Sequence, residues 1–167
     1  MLSLSLSNLR SISVHLDGLL IGIEEATMPY EQCEDELILL SNYFTELHFA
    51  LKTYATYFPP PGISRNCYSG HIGFDFIGQT LVGGWGEFNH NRYNGIMSDN
   101  TISDKEVQYL TALKESVDNM IEAIATTTDN SYELVEISPS YLDEVILDFT
   151  DKYYIAYDDS PLKLLFE

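Results

Sequence analysis

Leu37, Leu40, Phe44, Leu47, Leu51, Tyr54 and Phe58 follow one another at steps of three or four residues without a break. That spacing predicts a single amphipathic helix of about 28 residues, roughly 42 Å long at 1.5 Å per residue. Pro29 stands where a first helical turn tolerates proline, and Glu31, Glu34, Asp35 and Glu36 crowd the positive end of the helix dipole. Pro59-Pro60-Pro61-Gly62 stops the helix sharply. An apolar stripe of this length needs other apolar stripes against it, so the chain is expected to build a helical bundle.

Two further seams are expected to supply the partners. Leu9, Ile12, Leu16, Leu19 and Ile23 keep the helical step, with Ser7 or Asn8 available as a cap. A hairpin competes for the same residues. Ile12, Val14 and Leu16 alternate, Asp17-Gly18 is a good turn, and Leu19, Ile21 and Ile23 alternate again. Gly18 and Gly22 each cost a helix about 1 kcal/mol relative to Ala. The unbroken seam and the cap favour the helix. Ser103-Asp104-Lys105-Glu106 reads as a capping box that opens a helix with Val107, Leu110, Leu113, Val117, Met120, Ile121 and Ile124 inward. It ends in Thr126-Thr127-Thr128-Asp129-Asn130.

The rest is less regular. Residues 62–100 hold Gly62, Gly70, Gly73, Gly78, Gly83, Gly84, Gly86 and Gly95, together with Trp85, His71 and His90. A short helix or strand around Phe74 to Val82 is expected, with connecting loops elsewhere. Glu133 to Ile137 reads as a short strand. Ser138-Pro139 opens a further helix with Leu142, Val145, Ile146 and Phe149 inward, running on toward Tyr153-Tyr154. Ser160-Pro161 starts a last turn that brings Leu162, Leu165 and Phe166 to the core. The expectation is a mainly α, single-domain bundle over residues 1–167 with an irregular glycine-rich middle. The alternative is an α+β fold with a small antiparallel sheet from residues 11–23 and 133–137.

The 167 residues include 26 acids and 8 bases, a net charge of −18. A chain of this size buries a core without disulfides or metal. Its charge argues against direct nucleic-acid binding through phosphate neutralisation, which needs a basic face, and disfavours anionic membrane surfaces. No Lys or Arg precedes the N-terminal apolar stretch and no small-residue cleavage site follows it, so a signal peptide is not expected. No run of 18 apolar residues occurs. Cys33 and Cys67 are expected to be buried thiols in a reducing, cytoplasmic compartment, although a disulfide between them is possible on count.

Motifs for catalysis are weak. Gly83-Gly84-Trp85-Gly86 lacks the Lys and Ser/Thr of a phosphate loop and reads as a turn. His71, Asp75 and His90 match no metal-ligand spacing, and hydrogen-bonded or surface histidines are the better reading. His48 and His15 sit beside helical seams, as flank residues. The acids of 143–159 have no calcium-loop pattern. No catalytic residue, metal or cofactor is therefore expected.

The acids are concentrated. Glu24, Glu25, Glu31, Glu34, Asp35 and Glu36 form one group with no base among them. Asp129, Glu133, Glu136, Asp143, Glu144, Asp148, Asp151, Asp158 and Asp159 form another, against Lys152 alone. Tyr30 lies in the first group, and Tyr132, Tyr141, Tyr153, Tyr154 and Tyr157 in the second. Tyr combines apolar area with a polar tip, and a negative surface dotted with Tyr suits a basic protein partner. The competing explanation is charge held for solubility alone. Clustered like charges repel and destabilise a fold, which argues for a selected purpose.

The stretches EEATMPYEQCEDE and NSYELVEISPSYLDEVILDFTDKYYIAYDDS, in a small acidic chain without a catalytic motif, resemble immunity proteins of bacterial toxin systems, above all those of contact-dependent growth inhibition. The resemblance is one of style across the chain and rests on no shared motif. It implies tight 1:1 binding of a monomer to a basic toxin domain, commonly a nuclease, with acids in the places of substrate phosphates and aromatics in base pockets. The residues expected to bind the partner are Asp148, Asp151, Tyr154, Tyr157, Asp158 and Asp159. Glu34 and Asp35 form a second patch, and Trp85 with Glu87 in WGEFNHNRY a third. Other readings are a DNA-mimic inhibitor of a DNA-binding protein, which needs acids spaced along an extended face, and a small hydrolase using His71 and His90.

Overall fold

The computed structural model describes residues 2–5, 7–57, 74, 77–82, 96–99, 101–125, 134–137, 144, 145, 149 and 165, with backbone alone for 2–5, 50–57, 98, 99 and 134–137. The elements run β1 (Leu2–Ser5), α1 (Ser7–Glu24), α2 (Tyr30–Tyr57), α3 (residues 77–82), a 3-10 turn at Ile96–Asp99, α4 (Asp104–Ala125) and β2 (Leu134–Ile137). The fold is mainly α.

The first seam is a helix. Ile12 and Leu16 are fully buried while Val14 between them is 68% exposed. A strand would put all three on one face, so their burial follows the helical period. Leu9, Ile12, Leu16 and Leu19 are all in the core, and each buried aliphatic side chain contributes about 1.5–3 kcal/mol. Together they outweigh the glycine cost. The fifth inward position is Gly22 rather than Ile23, which is half-buried.

Helix α1 ends in a Schellman motif. Ala26 has φ 55°, its N–H donates to the Ile23 carbonyl at 3.2 Å, and the Thr27 N–H donates to the Gly22 carbonyl at 3.0 Å. The chain then reverses. Met28 folds back over Gly22, and the Pro29 carbonyl accepts from Cys33 N–H at 3.1 Å as the first bond of α2. Helices α1 and α2 are antiparallel. Asn8 Nδ2 donates to Glu46 at 2.9 Å, and His15 Nδ1 meets Glu36 at 2.8 Å, so ascending positions on α1 meet descending ones on α2.

The long helix has the expected extent. Leu37, Leu40, Phe44 and Leu47 are buried, joined by Cys33 and Ser41. Leu51 and Tyr54 lie within it, and Phe58 falls outside the described residues. Residues 74 and 77–82 are helical rather than extended. Gly78 brings α3 close to α2: the Ser41 hydroxyl donates to the Gly78 carbonyl at 3.2 Å, and a β-carbon there would stand 3.4 Å from Ser41 O and Oγ. That glycine serves helix packing, not a loop.

The capping box of α4 forms as its residues predict. Ser103 Oγ accepts from Glu106 N–H at 3.1 Å, and the Glu106 carboxylate accepts from Ser103 N–H at 2.9 Å. The inward face is Glu106, Tyr109, Leu110, Leu113, Val117, Met120 and Ile124. Val107 and Ile121 are half-buried, and Tyr109, absent from the expected seam, is fully buried.

Helix α1 packs against both α2 and α4. The described buried apolar residues form one core cluster, which also takes in Ile96, Val145, Phe149 and Leu165. Phe44, Phe74 and Phe149 stack in sequence at 6.3 and 5.5 Å between ring centroids, tying α2 to the segments around 74 and 149. Residues 144, 145, 149 and 165 are helical, with Val145, Phe149 and Leu165 inward as expected; Leu142, Ile146, Leu162 and Phe166 lie outside the described residues. The expected strand at 133–137 is present as β2. Its partner is β1, antiparallel with Leu2 opposite Ile137 and Ser5 opposite Leu134, and not residues 11–23.

Candidate partner-binding surface

The tight reversal between α1 and α2 gathers the first acidic group at one corner. Glu24 and Glu25 leave α1 and are exposed, as are Glu31 and Asp35 on the first turns of α2. Glu34 and Asp35 were expected to act as a pair. Successive helical residues point about 100° apart, and of the two only Asp35 is exposed, while Glu34 is half-buried. Glu36 is committed to His15, whose ring also lies 5.9 Å from that of Tyr43. Tyr30 is half-buried, and its hydroxyl donates to the Met97 carbonyl at 3.2 Å.

The acids at this corner differ in what they do for the fold. Glu31 suits the positive end of α2. Glu24 and Glu25 lie at the negative end of α1, where a cation would stabilise, and no basic residue occupies the last turn of α1, α2 or α4.

Further along α2 the outward face changes chemistry. Ile38 is 42% and Phe49 57% exposed, on a line with Asp35 and Asn42. The Phe49 ring rests edge-on against His48 at 5.1 Å, and His48 itself is half-buried, as a flank residue should be. Sequence periodicity did not single out Ile38 or Phe49. Each sits next to a buried seam residue or one step from it, so only the exposed orientation reveals them.

A second polar junction joins α1 to α4. The Ser13 hydroxyl donates to Asp118, and Lys114 Nζ lies 2.6 Å from the other carboxylate oxygen of Asp118. Burial by itself would raise the Asp118 carboxyl, but the hydrogen bonds from Lys114 and Ser13 and the charge of Lys114 outweigh it and hold the group below its ordinary value. The hydrogen bond to Asp118 in turn holds the Lys114 ammonium above its usual range. Cys33 is a buried free thiol, and burial pushes its pKa up. A thiol in that state is a packing group rather than a nucleophile.

Asp148, Asp151, Tyr154, Tyr157, Asp158, Asp159, Trp85 and Glu87 fall outside the described residues, as do Cys67, His71, Asp75 and His90. Among the described residues no group of three or more His, Cys, Asp or Glu side chains converges in a way that could hold a metal ion. Among the same residues no helix is long and apolar enough to cross a membrane. The chain matches no protein-family model, no curated protein and no solved structure.

Proposed function

We propose that this protein is an inhibitory binding protein of the immunity type, which occupies the active site or substrate groove of a basic toxin domain of the nuclease class. The supporting observation is acid held where the fold gains nothing from it. Glu24 and Glu25 stand exposed at the wrong end of the α1 dipole, in a chain of net charge −18 whose described long helices carry no base in their last turns. Electrostatic complementarity would accelerate encounter with a basic partner and suppress wrong ones. In this reading the protein acts in the cytoplasm as a monomer, by occupancy and not by catalysis, and forms a 1:1 complex. Asp148, Asp151, Tyr154, Tyr157, Asp158 and Asp159 make the main contact, with Glu34 and Asp35, and Trp85 with Glu87, as further patches.

The test is capture of the tagged chain from its native host at low and then high salt, with mass spectrometry. Recovery of one basic protein in near-equal amount, encoded beside this gene and toxic when expressed without it, is the expected result. A neighbouring protein whose toxicity this chain does not relieve would overturn the reading. Charge reversal of Asp148, Asp151, Asp158 and Asp159 together should then weaken binding; affinity unchanged within about twofold removes that patch from the interface.

A further inference from the structure

We infer that the outward face of α2, from Asp35 to Phe49, is itself a docking surface for a basic protein surface that carries apolar side chains. Ile38 and Phe49 are exposed on this face, three helical turns apart, whereas Leu37, Leu40, Phe44 and Leu47 of the same helix are buried and Leu39 is half-buried. Glu31, Asp35 and Glu46 border them, all exposed, and no Lys or Arg lies between Glu31 and Phe49. An occupant therefore needs apolar groups to cover Ile38 and Phe49 and cations to meet the border. A second copy of this chain is disfavoured, because two molecules of net charge −18 repel. A basic amphipathic surface satisfies both demands, with the apolar pair as anchors and the acids as rim.

The exposed stripe on α1 offers an internal comparison. Val14 at 68% and Ile21 at 45% are exposed there too, with exposed Asp17 and Glu24 on the same stripe, but Arg10, one turn before Val14, is also exposed and places a cation beside it. Val14 beside Arg10 is thus less suited to a cationic partner than Ile38 beside Asp35.

The inference rests on the reading above that the partner is basic, and its test is separate from the growth and capture experiment. The probe is a synthetic amphipathic helical peptide with Leu along one face and Arg along its flanks, beside a scrambled peptide of the same composition. Binding is read by fluorescence anisotropy at physiological salt, with circular dichroism confirming that each variant is folded. The double variant Ile38→Gln, Phe49→Gln is expected to lose about tenfold in affinity for the amphipathic peptide, and Asp35→Lys to weaken it further. Val14→Gln is expected to leave it unchanged. Equal affinity of the α2 double variant and the parent overturns the α2 face, as does equal binding of the scrambled peptide or none of either. Because Ile38 and Phe49 are exposed, their replacement does not open the core. Relief of toxicity in the growth experiment alongside failure here would retain the immunity reading and move the interface elsewhere.

Discussion

Met28 lies directly on Gly22: a β-carbon at position 22 would stand 2.8 Å from Met28 Cβ and 2.9 Å from its Cε. At Gly18, four residues earlier on the same helix, a β-carbon would meet nothing within 4 Å. The two glycines are therefore expected to respond oppositely to the same change. Gly18→Ala should stabilise by about 1 kcal/mol through helix propensity. Gly22→Ala should destabilise by roughly 1–2 kcal/mol, because the overpacking at Met28 exceeds the propensity gain. Urea unfolding of the two single variants measures both, and equal stabilisation would show that Met28 is free to move aside.

Ala26 holds a left-handed conformation at the end of α1, where glycine is the usual residue. An L-residue there carries a steric cost of about 1–2 kcal/mol, partly offset by the extra chain entropy that glycine brings to the unfolded state. Ala26→Gly is expected to raise the free energy of unfolding by about 0.5–1 kcal/mol. A decrease would mean that the turn does not persist in solution.

Ser103 and Glu106 each accept the other's backbone N–H. Removing either side chain leaves one backbone donor without its cap. Ser103→Ala is expected to cost about 1 kcal/mol. Glu106→Ala should cost at least as much, since its side chain is buried and fills space on the inward face of α4. A double-mutant cycle from denaturation midpoints should show the two losses to be less than additive, as for any reciprocal pair.

Asp118 has a folded-state pKa below its ordinary value, so the unfolded chain binds a proton more readily at that position. The stabilisation is fully present above the unfolded carboxyl value of about 3.9 and is lost as pH falls through the lower folded value. With the carboxylate 42% exposed, solvent screening keeps the contribution to a few tenths of a kcal/mol. The stability difference between the parent and Asp118→Asn should stay constant above about pH 5 and shrink below about pH 4. Urea midpoints across that range read it directly. A difference that grows on acidification would contradict the assignment.

The helices were legible in the residues for a local reason. Seam spacing, caps, stop signals and dipole preferences act within about four positions along the chain. The residues therefore marked the span of α2, the capping box at Ser103 and the choice of helix over hairpin at α1 before any contact was known. The acidic group at 24–36 was equally plain, because charge is read from the residues alone. Contacts between distant residues decided the remainder. His15 meets Glu36 across 21 positions and Ser13 meets Asp118 across 105. Leu2 pairs with Ile137 because the fold brings them together, and the alternating Leu and Ser of the first residues had no visible partner until it did. Local preference left it undecided that Gly22 rather than Ile23 completes a seam, that Tyr109 is fully buried while Val107 is half-buried, and that Glu34 is half-buried beside an exposed Asp35. Burial depends on which neighbouring helix arrives at that face, and only packing supplies that neighbour.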